Sequence, residues 1–264
     1  MFREPLDILL TPRQVVVLRG APRRTGPLVC EPLAPAQDGA DWQEAVSAFG
    51  RAAARTRKYG SRAHLALSGT WVRLDLTSLG SASLSDEEML LLGRAHLAQQ
   101  FPDAEHDGWS VRIARQETRL LAAGIDARLL ASLNESARAS GLRLTRIEPM
   151  FAWVHDRYRK DFLNAAAWMI LVEPGIITTA LLERGLLGSV HAQRCDTGDV
   201  QAVLRLLERQ NALLAQPRFD VCVFSVGCRA ADFPSPWRTL SQRVIADPAK
   251  VASGASIVDA GAVR

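Results

Sequence analysis

The chain has 264 residues, 48% of them hydrophobic, with four cysteines and a formal charge of +4. That is enough apolar material for one large domain or two lobes. Its basic residues are scattered, Lys58, Lys160 and Lys250 being the only lysines, and no basic stripe with interleaved aromatics marks a nucleic-acid face. Cys30, Cys195, Cys222 and Cys228 lack paired C-x-x-C spacing and read as reduced thiols. The N-terminal Met1 to Asp7 has no secretory pattern, and no apolar run approaches the roughly 18–20 residues of a bilayer span. The expectation is a soluble, cytoplasmic protein that meets a membrane only through a partner.

In chain order, Leu6 to Leu10 and Gln14 to Arg19 read as strands joined by Thr11-Pro12-Arg13. A proline-containing loop follows over 21–40, with one short strand at Leu28 to Glu31. Asp41 and Glu44 have the spacing of a capping box for a helix whose apolar face is Trp42, Ala45, Val46, Phe49 and Ala53. Ala63 to Leu67 and Thr70 to Leu76 read as a strand pair about Ser68-Gly69. Ser85 and Glu88 cap a second helix that Pro102 ends; His96 and His106 are too far apart to suggest a zinc pair.

Trp109 to Ala114 and Leu120 to Ile125 form a hairpin about Gln116-Glu117-Thr118, and Asp126 caps a helix that stops at Gly141. A strand reaches Glu148-Pro149, a short helix carries Phe151, Val154 and Tyr158, and the polar stretch Arg157 to Asn164 is the best lobe boundary. The apolar segment from Ala166 to His191 reads as a meander, folded at Glu173-Pro174-Gly175 and Glu183-Arg184-Gly185. Asp196 or Thr197 begins another helix, and Phe219 to Val226 is a strand ending at Gly227. Pro234 to Pro236 opens a helix over Trp237 to Val244, and 247–264 is a small-residue tail expected to be mobile.

This order resembles the actin-like ATPase superfamily, in particular PilM-type pilus assembly proteins and the cytoplasmic region of GspL. The segments that carry the resemblance are Leu120 to Asp126 with its helix, Gly141 to Pro149, Trp168 to Gly185, and Ala66 to Arg73 before the acidic helix at Ser85. The resemblance spans roughly 6–245 and implies a mixed α/β, two-lobed actin-like (ribonuclease H-like) fold. It divides the chain into a first lobe at 1–160, holding an inserted subdomain at about 77–125, and a second lobe at 161–246.

In such a fold ATP lies between the lobes, with glycine-rich hairpins bringing N–H groups to the phosphates and acidic residues orienting Mg²⁺. The positions to watch are Asp7, Glu173, Gly175, Thr178 and Gly227. Around them the small residues are largely replaced, by Leu9 and Leu10 in the first hairpin and by Ile176 and Ile177 in the second. A degenerate nucleotide site is therefore expected, with no catalytic residue, metal or cofactor assigned and ATP/Mg retained as the alternative.

The resemblance implies a non-catalytic scaffold of a type IV pilus or type II secretion-like assembly. Its partner would be the cytosolic tail of a PilN-like inner-membrane protein, with self-association also allowed. The competing readings are an active ATPase or phosphotransferase of the same fold, and an α/β domain unrelated to pili. No G-x-S-x-G, Walker loop or dinucleotide fingerprint offers a different enzyme.

Overall fold

The computed structural model describes residues 5–19, 28–33, 42–56, 62–80, 83–102, 106–162, 166–194, 200–214, 220–226 and 239–245. Gly227, the tail from 247, Asp41, and the helix-start residues Asp196 and Thr197 lie outside them.

The first sheet is built from β1 (Leu6–Leu10), β2 (Gln14–Arg19), β3 (Val29–Pro32), β4 (Arg62–Leu67) and β8 (Arg143–Pro149), in the order β3-β2-β1-β4-β8. The first three strands form an antiparallel meander, and β4 and β8 add in parallel beside β1. The second sheet repeats this plan with β9 (Ala166–Glu173), β10 (Ile176–Glu183), β11 (Leu186–Arg194), β12 (Asp220–Val226) and β13 (Thr239–Ile245), in the order β11-β10-β9-β12-β13. Here too the meander is antiparallel and the last two strands are parallel. Parallel neighbours need crossovers, which α1 (Gln43–Thr56) between β3 and β4 and α5 (Val200–Leu214) between β11 and β12 supply.

A third sheet, β5 (Val72–Ser78), β6 (Trp109–Gln116) and β7 (Arg119–Asp126), has the order β5-β7-β6. It is interposed between β4 and α3 (Ala127–Ala139), and α2 (Asp86–Gln100) packs on it through Met89 and Leu97. This unit runs from Val72 to Asp126, against an expected span of about 77–125. The N-terminus of α2 carries the capping box read from the sequence: the Glu88 N–H donates to Ser85 Oγ at 3.3 Å, and the Ser85 N–H to Glu88 Oε2 at 2.8 Å. Ser85→Ala is expected to cost about 1 kcal/mol, read in urea denaturation as a lower midpoint with an unchanged slope.

Two sequence expectations are corrected. β4 and β5 are not a hairpin: β4 lies between β1 and β8, while β5 pairs with β7, because the turn closed by the Trp71 N–H on Ser68 O sends the chain out of the first sheet. Trp237 to Val244 was expected as a helix, but Thr239–Ile245 is the strand β13. Leu240 and Val244 do have helical spacing, yet parallel pairing with β12 decides the conformation.

The sheets share one large core. From the first sheet it takes Ile8, Leu10 and Leu65, and from the second Met169, Leu171 and Phe224. Between them α4 (Met150–Tyr158) contributes Met150, Trp153 and Val154. Trp168, Ile170 and Val223 make a separate cluster with Val203 and Leu207 of α5. There the Trp168 Nε1–H donates to Asn211 Oδ1 at 2.9 Å, so the buried indole is satisfied.

Candidate functional site

The β9–β10 turn places Pro174 and Gly175 between the paired residues Glu173 and Ile176. Gly175 has φ +84°, the conformation that the second central position of a Pro-Gly turn requires. Glu173 and Thr178 alternate with Val172 and Ile177, which belong to the α5-side cluster, so both polar side chains point the other way, and both are 1% exposed.

Glu173 meets the turn that follows β4. The Gly69 N–H donates to Glu173 Oε2 at 3.2 Å, joining residues 104 apart in the chain. A Cβ on Gly69 would lie 3.3 Å from Glu173 Oε2 and 3.5 Å from Thr178 Oγ1, so the two turns touch where only a glycine fits without displacement. The other carboxylate oxygen, Oε1, has no hydrogen-bond partner among the described residues. Burial pushes the Glu173 carboxyl up to about 7, outweighing the Ser68 and Gly69 hydrogen bonds that favour the ion.

The amides of the neighbouring turns are already engaged. At the β1–β2 turn the Thr11 N–H donates to Gln14 O at 3.0 Å, and the Arg13 and Gln14 N–H groups to Thr11 Oγ1 at 3.4 and 3.2 Å; Pro12 has no N–H to offer. After β4, the Ser68 N–H donates to Leu10 O at 2.9 Å and the Thr70 N–H to Ser68 Oγ at 3.3 Å.

Asp7 does not join this group. It lies within β1, 4% exposed, and accepts from Arg157 Nη1 of α4 at 2.8 Å, with His64 Nδ1 of β4 3.6 Å away. Arg157 stacks over Trp153 with its guanidinium carbon 4.7 Å from the ring centroid. On the same sheet, burial pushes the Glu148 carboxyl up to about 7 although Arg146 lies 2.6 Å from it. The structure thus gathers Glu173, Gly175 and Thr178 at one turn, sets Asp7 in a separate ionic cluster, and leaves Gly227 outside the described residues. Gly69 and Arg157 were not among the expected site residues. Ser-Gly-Thr between two apolar runs looks like any turn, and nothing near Arg157 in sequence names a partner in β1.

Two cavities flank the third sheet, one of about 280 Å³ and one of about 290 Å³. The first runs between β6–β7, α3 and β8, with Ser110, Arg112, Ile125, Leu130 and Ile147 in its walls. The second lies where β5, β6 and β7 meet the N-terminal ends of α1 and α3, and is lined by Trp42, Trp71 and Trp109. Among the described residues no group of three His, Cys, Asp or Glu could hold a metal ion, and no helix is long and apolar enough to cross a membrane.

Comparison with solved structures defines the class: the chain has the actin-like ATPase fold. A Bacteroides thetaiotaomicron protein with an actin-like ATPase fold and unknown function matches at TM-score 0.59 and 12% identity, over 95% of this chain and 86% of its own. Within that fold, it resembles PilM of the PilM–PilN type IV pilus biogenesis complex, at TM-score 0.59 and 12% identity over 84% of this chain and 81% of the other. It also resembles the cytoplasmic domain of EpsL, an inner-membrane component of the Vibrio cholerae type II secretion system, at TM-score 0.54 and 8% identity over 94% and 92%. No protein-family model and no curated protein matches the sequence.

Proposed function

We propose that the chain is a non-catalytic, actin-like scaffold of a type IV pilus or type II secretion-like assembly, working at the cytoplasmic face of the inner membrane. The observation that supports this best is the state of the turns between the two large sheets. A triphosphate needs spare N–H donors and room for close approach. Here the Gly69 amide is taken by Glu173, and the amides around Pro12 are bonded within their own turn. With those amides engaged, these two turns offer a triphosphate few donors.

Partner binding has a surface suited to it. β6 ends the third sheet and β8 ends the first among the described residues, and the cavity of about 280 Å³ lies along both. An extended segment can pair its backbone with such an edge and set alternate side chains against Ile125, Leu130 and Ile147. The occupant we propose is the cytosolic tail of a PilN-like inner-membrane protein, supported by the likeness to PilM of the PilM–PilN complex.

Calorimetry tests both halves. Millimolar Mg-ATP is expected to give no saturable heat, while a PilN-like tail peptide binds and Ala123→Arg, inside the groove, weakens it at least about tenfold, or 1.4 kcal/mol. Stoichiometric Mg-ATP binding lost on Gly175→Val would instead establish the active ATPase reading. A well-folded protein with no affinity for any such tail would remove the scaffold reading.

A further inference from the structure

The second cavity, of about 290 Å³, has a different chemistry from the first. Its walls bring together Trp42, Trp71 and Trp109, half of the six tryptophans in a chain that is only 6% aromatic. Trp109 lies against Gly124, where an added Cβ would sit 2.7 Å from Trp109 Cε3, so the bare glycine lets the indole settle flat against the end of β7. The wall is therefore a set of broad apolar faces, held by the third sheet on one side and by α1 on the other.

The polar groups among these faces favour negative charge. Arg73 enters from β5, donating from Nη1 to Thr70 O at 3.1 Å, its guanidinium carbon 5.6 Å from the Phe101 ring centroid. Arg128 enters from α3, where Nη2 meets Asp126 Oδ2 at 2.9 Å and so offsets the one carboxylate among the described lining residues. Among the described residues no carboxylate pairs with Arg73. Both α1 and α3 begin here, but their first turns already carry carboxylates, Glu44 in α1 and the N-cap Asp126 in α3, so Arg73 is the charge that an anion would meet. Trp71 is 8% exposed, and its Nε1–H is buried without a hydrogen-bond partner among the described residues. That N–H has almost no accessible surface, so the cavity meets the Trp71 ring and not its donor.

We infer that this cavity is a binding site for a small organic anion with a flat apolar body, the anionic group beside Arg73 and the ring system against the tryptophans. Its volume stands near the lower end of small-ligand sites, about 300 Å³. The inference does not rest on the scaffold reading, and its occupant is distinct from the tail peptide.

The test uses the full chain with 2-naphthoate as the probe and uncharged 2-naphthylmethanol as its partner compound, followed by tryptophan fluorescence and calorimetry. Saturable binding of the acid is expected, at least about tenfold tighter than the alcohol, or 1.4 kcal/mol. Arg73→Gln should remove most of that preference. Trp42→Ala, at a half-buried position just before α1, should weaken both compounds while leaving the circular dichroism unchanged. Equal affinity for acid and alcohol in the unmodified protein would overturn the anion assignment without requiring any variant to fold. Absence of saturable binding at millimolar probe, or displacement of the probe by the tail peptide, would overturn the site as a small-molecule pocket.

Discussion

Asp7→Ala is expected to cost about 3–5 kcal/mol of stability, because it strips a largely buried Arg157 of its carboxylate. The Asp7 and Arg157 side chains are 6% and 14% exposed, and the 2.8 Å contact ties β1 to α4. The loss is not the net worth of the pair, since removing one member strands the charge of the other. Accordingly the double replacement of Asp7 by Leu and Arg157 by Met should recover most of it. Urea denaturation of the two single variants and the double checks this. A loss under about 1 kcal/mol for Asp7→Ala would mean that the pair behaves as a solvated surface bridge.

The second large effect is a pH dependence centred on Glu173. Its carboxyl takes up a proton near pH 7 in the folded chain and near 4.5 ordinarily. Between those values the folded state holds more protons than the unfolded one, so stability falls as pH rises, fully present below about 4.5 and lost above about 7. At about 1.4 kcal/mol per pH unit for one proton, the interval amounts to roughly 3 kcal/mol. Glu173→Gln, whose amide oxygen can still accept from Gly69, should be near neutral at pH 4.5 and stabilising by roughly that amount at pH 8. Glu148 contributes in the same direction, so the variant should flatten the profile without abolishing the slope. An identical pH profile in the variant and the unmodified protein would show that Glu173 does not titrate in this range.

Local chemistry was legible wherever the signal lies within a few residues. Ser85 and Glu88 cap α2, Asp126 caps α3, and the chain turns at Arg184-Gly185 between β10 and β11, as their sequences suggest. The mixed α/β, actin-like architecture was legible too, because strand and helix order survives when individual residues drift. What the sequence did not give away was pairing at a distance. β4 looks like half of a hairpin until β8 and β1 claim its two edges, and β13 looks helical until β12 does. The same limit applies to the site: Glu173 and Thr178 were singled out, but the Gly69 amide that meets Glu173 comes from a turn 104 residues earlier.

The position of α4 has a mechanical consequence. Phe151 and Val154 sit in the core shared by both large sheets, Arg157 is bound to β1, and the Tyr158 ring lies 5.1 Å from that of Phe224 in β12. A helix gripped on both flanks is a poor hinge, since any rotation of one sheet against the other must tear an ionic anchor or slide aromatic surfaces. Amide hydrogens of α4 should accordingly exchange only through the rarest and most global openings, as slowly as those of the central strands β1 and β9.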